Sequence, residues 1–197
     1  MLCGYGVAAD GCGTSRDLWL PVVLVTAQPY GEFTFSPDDE PLDQKVHRLL
    51  AERPATVAVA ESITGGLLAA ALTDMPGAST TFRGSITAYA TELKAELLGV
   101  DPQLLARHGP VHPEVARQMA TGVRDRLRAT YGVATTGVAG PAGQDDKPVG
   151  EVHVAVVGPD ADSVVSTVLP GDRDTVRRGA RALALDLLRR VLEHAEQ

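Results

Sequence analysis

The chain has 197 residues and a net charge of −7, and 44% of its residues are hydrophobic while only 4% are aromatic. This composition predicts a globular core of small aliphatic side chains, and it excludes general disorder and a broad electrostatic grip on nucleic acid. No segment reaches the roughly 18 consecutive apolar residues of a membrane span, and no basic region precedes the apolar residues 18–26 as in a signal peptide. We therefore expect a cytoplasmic protein.

Residues 1–40 differ in character from the rest of the chain. Glycine and proline recur along them, an acidic run closes them, and only residues 18–26 could form a strand. We expect a poorly ordered N-terminal extension here and a single domain over residues 41–197. Both cysteines, Cys3 and Cys12, lie in the extension. Because no set of about four closely spaced Cys or His ligands exists, we expect no metal and no cofactor.

From residue 42 onward, helical and strand patterns alternate. Apolar periodicity, N-cap residues and prolines predict helices over 42–52, 65–74, 91–98, a short one from 101, 113–129 and 173–195. Short apolar runs predict strands over 56–60, 82–90, 132–137, 151–157 and 163–169. This alternation is typical of an α/β protein with helices on both faces of a sheet. The last two strands are neighbours in the chain and predict a hairpin, so the sheet should be mixed but mostly parallel.

The loop Glu61-Ser62-Ile63-Thr64-Gly65-Gly66 lies between a predicted buried strand and a predicted helix. Such loops lie at the carboxyl edge of an open α/β sheet, where ligands bind. Its glycines permit close backbone approach, and free N–H groups at the helix start can hold an anion or a developing oxyanion. The loop also suits a tight turn with serine as a cap, and it matches neither a P-loop nor a Gly-x-Ser-x-Gly elbow. Both interpretations stay open at this point.

Lysine is rare in this chain, accounting for only three of the 18 basic residues. Because lysine can lose its proton at working pH and arginine cannot, each lysine is a candidate for a chemical role. Lys94 lies one turn into a helix with Thr91 as its expected N-cap, and Tyr89 lies near the end of the preceding strand. A desolvated lysine can deprotonate a serine, and a tyrosine hydroxyl can orient the pair or relay the proton. The alternative is a solvated Lys94 with Tyr89 at the edge of the core.

Two further segments could contact a ligand. The loop from Thr136 to Gly143 follows a buried strand and forms a rigid turn of exposed N–H groups suited to a phosphate or an amide oxygen, although glycine-rich loops are common. The segment from Gly109 to Glu114 precedes a helix and could supply a lid or one substrate contact. Arginines at 124, 126, 128, 177, 178 and 181 are expected on exposed helix faces or at a contact between copies of the chain.

Four motifs in a fixed order resemble those of one known family. They are Glu61-Ser62-x-Thr64-Gly65-Gly66, Gly84-(x)4-Tyr89-(x)4-Lys94-(x)3-Leu98-Gly99-Val100, Thr136-Gly137-x-Ala139-Gly140-Pro141 and Lys147-Pro148-Val149-Gly150. Over residues 42–195 the chain resembles the CinA C-terminal domain family, whose members are nicotinamide-nucleotide amidases, also called nicotinamide mononucleotide deamidases.

This resemblance implies a three-layer α/β/α sandwich and a bacterial hydrolase of NAD salvage. The implied reaction is metal-independent hydrolysis of the carboxamide of nicotinamide mononucleotide to nicotinate mononucleotide and ammonia. Ser62 matches the nucleophile of the family, Lys94 the residue that activates it, and Tyr89 the hydroxyl that assists. Substrate contacts are expected from Thr64, Gly65, Gly66, Thr136, Gly137, Gly140, Pro141 and His112. The expected partner is a small nucleotide substrate rather than nucleic acid or membrane, and a homo-oligomer is compatible with this.

Departures from the family pattern concern the substrate more than the chemistry. The family usually has Cys at Ile63, Asn at Thr91, Ala and Ser at Pro110 and His112, and Gly at Ala142. Two alternatives therefore stay open: a nucleotide-binding sensor or partner subunit that has lost turnover, and an amidase for a different small amide. Larger family members also carry a preceding domain with a molybdopterin-binding-like fold, which 40 residues cannot hold.

Overall fold

The computed structural model describes residues 40–159 and 161–194, so the prediction of a poorly ordered segment over residues 1–40 lies, except for Glu40, outside the described residues. Five strands form one sheet in the order β2-β1-β3-β4-β5. Their bounds are β1 Val57–Glu61, β2 Phe82–Thr87, β3 Tyr131–Gly137, β4 Glu151–Gly158 and β5 Ala161–Val168. Strands β1, β2 and β3 run parallel, whereas β4 and β5 each pair antiparallel with their neighbour. The predicted mixed α/β sheet is confirmed.

Helices cover both faces of this sheet. Their bounds are α1 Leu42–Ala51, α2 Leu67–Thr73, α3 Thr91–Leu98, α4 Pro102–His108, α5 Pro113–Leu127 and α6 Arg173–His194, with a short 3-10 turn at Ala78–Thr80. One apolar cluster joins α1, α2 and α6 to one face of the sheet, and a second joins α3 and α5 to the other. The described chain is therefore a three-layer α/β/α sandwich. None of the described helices is both long and apolar enough to cross a membrane.

Alternating side chains of β1 face the two different helix layers. Val57 and Val59 face the α1, α2 and α6 layer, while Ala58 and Ala60 face α5. The alanine face lets α5 approach the sheet so closely that a Cβ on Gly132 of β3 would lie 2.0 Å from a backbone oxygen of α5. A core poor in aromatic residues is thus packed by close backbone approach rather than by large side chains.

Strand direction brings the loops that carry the candidate site residues to one edge of the sheet. Glu61 at the end of β1 pairs with Thr87 of β2 and with Thr135 of β3, so the loops that follow these three parallel strands leave from the same edge. Because β4 is antiparallel to β3, its first residues lie there too, with Val152 opposite Gly137. Strand β5 reverses again, so its end and the start of α6 also lie at this edge.

Two local predictions are wrong. Strand β2 ends at Thr87 rather than near residue 90, because residues 88–90 form the connection into α3. The N-cap of α3 is Ala90, not Thr91, and its end has no side-chain capping hydrogen bond. Thr91 is the first helical residue, which places Lys94 one position deeper in the helix than the sequence suggested.

Candidate active site

A cavity of about 290 Å³ opens at this edge of the sheet, between the loops that follow β1, β2 and β3 and the start of α6. Six of the residues predicted from the sequence line it: Ser62, Tyr89, Lys94, Thr136, Gly137 and Gly140. The other five, Thr64, Gly65, Gly66, Pro141 and His112, are not among its lining residues. The structure therefore brings the three residues matched to the catalytic set to one cavity. Only three of the eight residues expected to contact substrate line it.

Lys94 is buried, with 1% of its surface exposed, although lysine usually lies in solvent. Its Nζ donates to the backbone oxygens of Ala88 at 2.8 Å and Tyr89 at 3.2 Å, both in the connection between β2 and α3. Burial lowers the pKa of Lys94 from 10.5 to about 8, and the nearby charge of Glu92 opposes part of that shift. The alternative of a solvated lysine is wrong.

The hydrogen bonds of this amine can all be made by its neutral form. A neutral lysine has two N–H groups and one lone pair, whereas the ammonium has three N–H groups. The two carbonyl acceptors match the two N–H groups of the neutral form, which leaves the lone pair to accept a proton. Lys94 forms no salt bridge with any described carboxylate, and the more distant charge of Glu92 only partly offsets the effect of burial.

Ser62 lies directly after β1 and is half-buried. Its N–H donates to the oxygen of Thr135 at 3.0 Å, which extends the pairing of β1 with β3 by one residue. The buried side chain of Ile63 anchors the next position in the core. The Ser62 hydroxyl makes no hydrogen bond with any described residue, and so does not act as a helix cap. Nothing within the described chain therefore occupies this hydroxyl at the cavity wall.

Glu61 performs the capping instead. Its buried carboxylate accepts hydrogen bonds from the N–H groups of Gly66 at 2.8 Å, Leu68 at 3.1 Å and Ala69 at 2.8 Å. The expectation that N–H groups at the start of this helix are open to an anion is wrong for these three positions, since a carboxylate of the chain already holds them. Thr64 is buried and shares a 2.8 Å hydrogen bond with the Thr135 hydroxyl.

The loop after β3 forms another part of the cavity wall. The buried Thr136 hydroxyl donates to the oxygen of Pro110 at 2.7 Å and so ties the segment before α5 to this wall. Gly137 is required by close approach, because a Cβ there would lie 2.4 Å from the backbone oxygen of Glu151. The N–H groups of Ala139 and Gly140 make no hydrogen bond with described residues, whereas that of Val138 is bonded to Glu151.

Arg173 is a lining residue that sequence reasoning missed. It begins α6 and donates from Nη1 to the oxygen of Gly140 at 2.8 Å and from Nη2 to the hydroxyl of Tyr89 at 3.0 Å. Tyr89 itself is 58% exposed, so the interpretation as a core-edge residue is wrong. The sequence did contain a signal for the location of Arg173. The chain reverses between β3 and β4 and again in the predicted β4–β5 hairpin, which returns the start of α6 to the sheet edge that carries Ser62.

Arg177 lies one helical turn beyond Arg173. It donates from Nε to the oxygen of Ile63 at 3.1 Å and from Nη2 to the oxygen of Thr64 at 2.7 Å. The expectation of an exposed helix face or a contact between copies is wrong for this residue, because its guanidinium contacts the Ser62 loop. Arg178 fits that expectation, since it is exposed and pairs with Asp174 on the same helix.

His112 supports the structure next to the cavity. It is the N-cap of α5, where its Nδ1 accepts a hydrogen bond from the N–H of Glu114 at 3.2 Å, and its ring stacks on His108 with centroids 4.7 Å apart. Burial lowers the pKa of His112, and the neighbouring His108 and Lys147 lower it further. The residues that reach the cavity from this segment are Pro110 and Val111.

Comparison with known proteins matches residues 39–192 to the family described as CinA C-terminal domain. A CinA-like protein of Frankia casuarinae is 55% identical over 172 residues, which are 87% of this chain and 40% of that protein. A CinA-like protein of Gloeobacter violaceus is 45% identical over 187 residues, 93% of this chain and 44% of that protein. The chain thus spans about two fifths of the length of these curated relatives.

Among solved structures, the competence damage-inducible protein A of Klebsiella pneumoniae superposes with a TM-score of 0.75 at 31% identity. The match covers 78% of this chain and 96% of that chain. A CinA superfamily protein of Enterobacter cloacae gives a TM-score of 0.76 at 27% identity, covering 85% of this chain and 98% of that one. Sequence and fold agree, and the chain belongs to the CinA C-terminal domain family.

Proposed function

We propose that this domain is an amidohydrolase that converts nicotinamide mononucleotide to nicotinate mononucleotide and ammonia, with Ser62 as nucleophile. One observation carries the proposal: a buried lysine whose pKa is lowered to about 8 lines the same cavity as a serine hydroxyl without a hydrogen bond to described residues. A desolvated amine next to an unbonded hydroxyl is the arrangement by which a lysine activates a serine.

In the first half-reaction, the neutral amine of Lys94 accepts the Ser62 proton while Oγ attacks the carboxamide carbon. The resulting tetrahedral intermediate carries a negative charge on the former carbonyl oxygen. When it collapses, the C–N bond breaks and the Lys94 ammonium returns its proton to the leaving nitrogen, which departs as ammonia. The product of this step is a nicotinoyl ester on Ser62. Tyr89 lines the same cavity and supplies a hydroxyl that can assist the proton transfer.

In the second half-reaction, a water molecule replaces the departed ammonia. Lys94 takes a proton from this water as its oxygen attacks the ester carbon, and a second tetrahedral intermediate forms. Its collapse breaks the bond to Oγ, and Lys94 returns the proton to Ser62. The carboxylic acid product ionises in solution, so the site is restored with Lys94 neutral and Ser62 protonated.

Backbone N–H groups are available for the negative charge of both intermediates. Ile63 directly follows the nucleophile and lines the cavity, and its N–H makes no hydrogen bond with described residues. The N–H groups of Ala139 and Gly140, in the loop after β3, also make no hydrogen bond with described residues. Preorganised donors of this kind stabilise an oxyanion without reorganisation during the reaction, at about 3 to 4 kcal/mol for each well-placed group.

Charge in the cavity supports an anionic substrate. Among the described lining residues, Arg173 stays positively charged when Lys94 is neutral, and no described carboxylate lines the cavity. A phosphate-bearing nucleotide suits this balance better than a neutral amide, because the guanidinium of Arg173 can bind phosphate through two N–H groups.

The test is ammonia release from nicotinamide mononucleotide by the purified protein, with nicotinate mononucleotide identified as the second product. Ser62→Ala and Lys94→Met should each lower kcat at least about 10³-fold. Ser85→Ala is the matched control, since Ser85 is an exposed serine of β2 outside the cavity lining. Release no greater than that of Ser62→Ala would refute the proposal.

A second candidate, nucleotide binding without turnover, is favoured by one observation: no hydrogen bond joins the Ser62 hydroxyl to the Lys94 amine. Catalytic hydrogen bonds are often long before substrate binds, so this spacing also suits an enzyme at rest. Calorimetry separates the two, because saturable binding of nicotinamide mononucleotide with no product formed supports the sensor. A panel of other small amides, with His112→Ser alongside, separates both from an amidase of different specificity.

A further inference from the structure

Two charged side chains hold the Ser62 loop through its backbone, one by the N–H groups and one by the carbonyl oxygens. Glu61 binds three backbone N–H groups at its helical end, whereas Arg177 binds the backbone oxygens of Ile63 and Thr64. Arg177 reaches this loop from α6, which lies 113 and 114 residues further along the chain. The residues that follow the proposed nucleophile are therefore fixed by a distant helix.

Arg177 differs from three other arginines of α6. Arg178 pairs with Asp174, and Arg189 and Arg190 pair with Asp186, whereas Arg177, like Arg173 and Arg181, forms no ion pair with a described carboxylate. Both of its recorded hydrogen bonds go to carbonyls of the Ser62 loop. Gly65 leaves room for this contact, because a Cβ there would lie 3.3 Å from Nη2 of Arg177.

Peptide geometry gives this contact a consequence for the loop. A trans peptide unit is rigid, and its N–H points opposite to its C=O. By binding the oxygens of Ile63 and Thr64, the guanidinium fixes the orientation of the two peptide units that follow Ile63 and Thr64. A planar guanidinium donates to two acceptors in fixed directions, which a single ammonium does not reproduce.

We propose that Arg177 is a positioning residue for the serine nucleophile: its guanidinium holds the peptide units that follow Ile63 and Thr64, and the chain fixed next to Ser62 keeps the Ser62 hydroxyl in reactive orientation. This inference rests on the proposed role of Ser62. Arg177 does not line the cavity, so it acts on Ser62 through the loop rather than on the substrate. It should therefore affect the rate of the chemical step and leave substrate affinity nearly unchanged.

The experiment measures Ser62 reactivity independently of any amide substrate. Wild type, Arg177→Met, Arg177→Lys and Arg178→Met are treated with a fluorophosphonate probe, and phosphonylation of Ser62 is followed by intact mass and peptide mapping. Arg178→Met is the matched control, because it removes a neighbouring arginine whose recorded partner is a surface carboxylate. In parallel, kcat and KM are determined with nicotinamide mononucleotide, and thermal unfolding shows that each variant is folded.

In Arg177→Met, the probe should label Ser62 about 10 to 100 times more slowly than in wild type, and kcat should fall by a similar factor, because small displacements of a reacting group cost rates of this size. KM should stay within about twofold of the wild-type value. Arg177→Lys should recover part of both rates, since an ammonium still donates to the carbonyls. Arg178→Met should match wild type in every measurement.

Equal labelling of Ser62 in wild type, Arg177→Met and Arg177→Lys would overturn the inference, as would a loss confined to KM. If Arg177→Met does not fold, the folded Arg177→Lys variant decides by the same criterion. A wild-type protein that is labelled at Ser62 but releases no ammonia would refute the proposed substrate and leave the positioning role supported. A wild-type Ser62 that neither reacts with the probe nor supports ammonia release would overturn both, and where ammonia alone is released, the kcat and KM of the variants decide on the positioning role.

Discussion

Titration of Lys94 should shape the pH profile of the proposed reaction. The base must be neutral to accept the Ser62 proton, so kcat/KM should rise with pH until the amine is fully deprotonated. Burial lowers the pKa of Lys94 from 10.5 to about 8. At pH 7 about one molecule in eleven then carries the free amine, against about one in 3000 for an ordinary lysine, which is a gain of roughly 300-fold. Part of this gain is offset because a weaker base abstracts a proton less readily.

The assay is the initial rate of ammonia release at low substrate concentration between pH 5.5 and 9.5. We expect kcat/KM to rise about tenfold per pH unit below pH 7 and to level off with a midpoint near 8. The charge of Glu92 raises the pKa of Lys94, so Glu92→Gln should move the midpoint to lower pH by a few tenths of a unit. Glu96→Gln is the control on the same helix, and it should leave the midpoint in place.

A flat profile between pH 6 and 9, or a midpoint above about 9.5, would refute this reasoning, because the base would then not be a desolvated lysine. A midpoint near 8 that Glu96→Gln moves as far as Glu92→Gln would show a general charge effect rather than one directed at Lys94. Lys94→Met should remove the activity, because the variant lacks the amine that accepts the Ser62 proton.

Three further predictions concern the hydrogen bonds of Tyr89, Glu61 and His112. Tyr89→Phe should lower kcat roughly tenfold without changing Tm, because the ring is 58% exposed and its recorded hydrogen bond is to Arg173; a Tm loss of several degrees would contradict this. Glu61→Ala should lower the free energy of unfolding by about 3 kcal/mol or more in a denaturant titration, since three N–H groups lose their acceptor. A loss below about 1 kcal/mol would argue against this capping role. His112→Ala should cost about 1 kcal/mol and His112→Asn much less, because asparagine also caps a helix. Burial lowers the pKa of His112, so the stability that its neutral ring contributes should be full above the ordinary value of 6.5 and decline as pH falls below it; stability that rises instead would contradict the cap.

Local patterns predicted most of the fold. Helices and strands were found within a few residues of their bounds because apolar periodicity is decided locally, and the hairpin followed from two adjacent strand patterns. The shared location of Ser62, Tyr89 and Lys94 was also predictable, since loops after parallel strands leave from one edge of a sheet. The lysine count added a chemical reason to inspect Lys94.

Side-chain contacts between distant segments could not be predicted in the same way. Arg173 meets Tyr89 across 84 residues, and Arg177 meets the Ser62 loop across more than 110. On a helix with arginines at 173, 177, 178 and 181, periodicity alone does not say which of them faces the sheet edge. The capping role of Glu61 was missed for a different reason, because a carboxylate at a strand end was read as part of the motif rather than as the acceptor that the next helix needs.

The burial of Lys94 conflicts with stability. The pKa of Lys94 is about 8 in the folded chain and 10.5 when exposed, so below pH 8 its buried ammonium opposes folding by about 3 kcal/mol. This penalty disappears as pH rises through 10.5, because the amine is then neutral in both states. A methionine or leucine would fill the same space without that cost, although it would leave the carbonyls of Ala88 and Tyr89 without a donor. Residues that lower stability are found most often where a site needs their chemistry, and Lys94 lines the same cavity as Ser62. The lysine that a stable core would exclude is therefore the residue that makes the cavity a candidate for catalysis rather than only for binding.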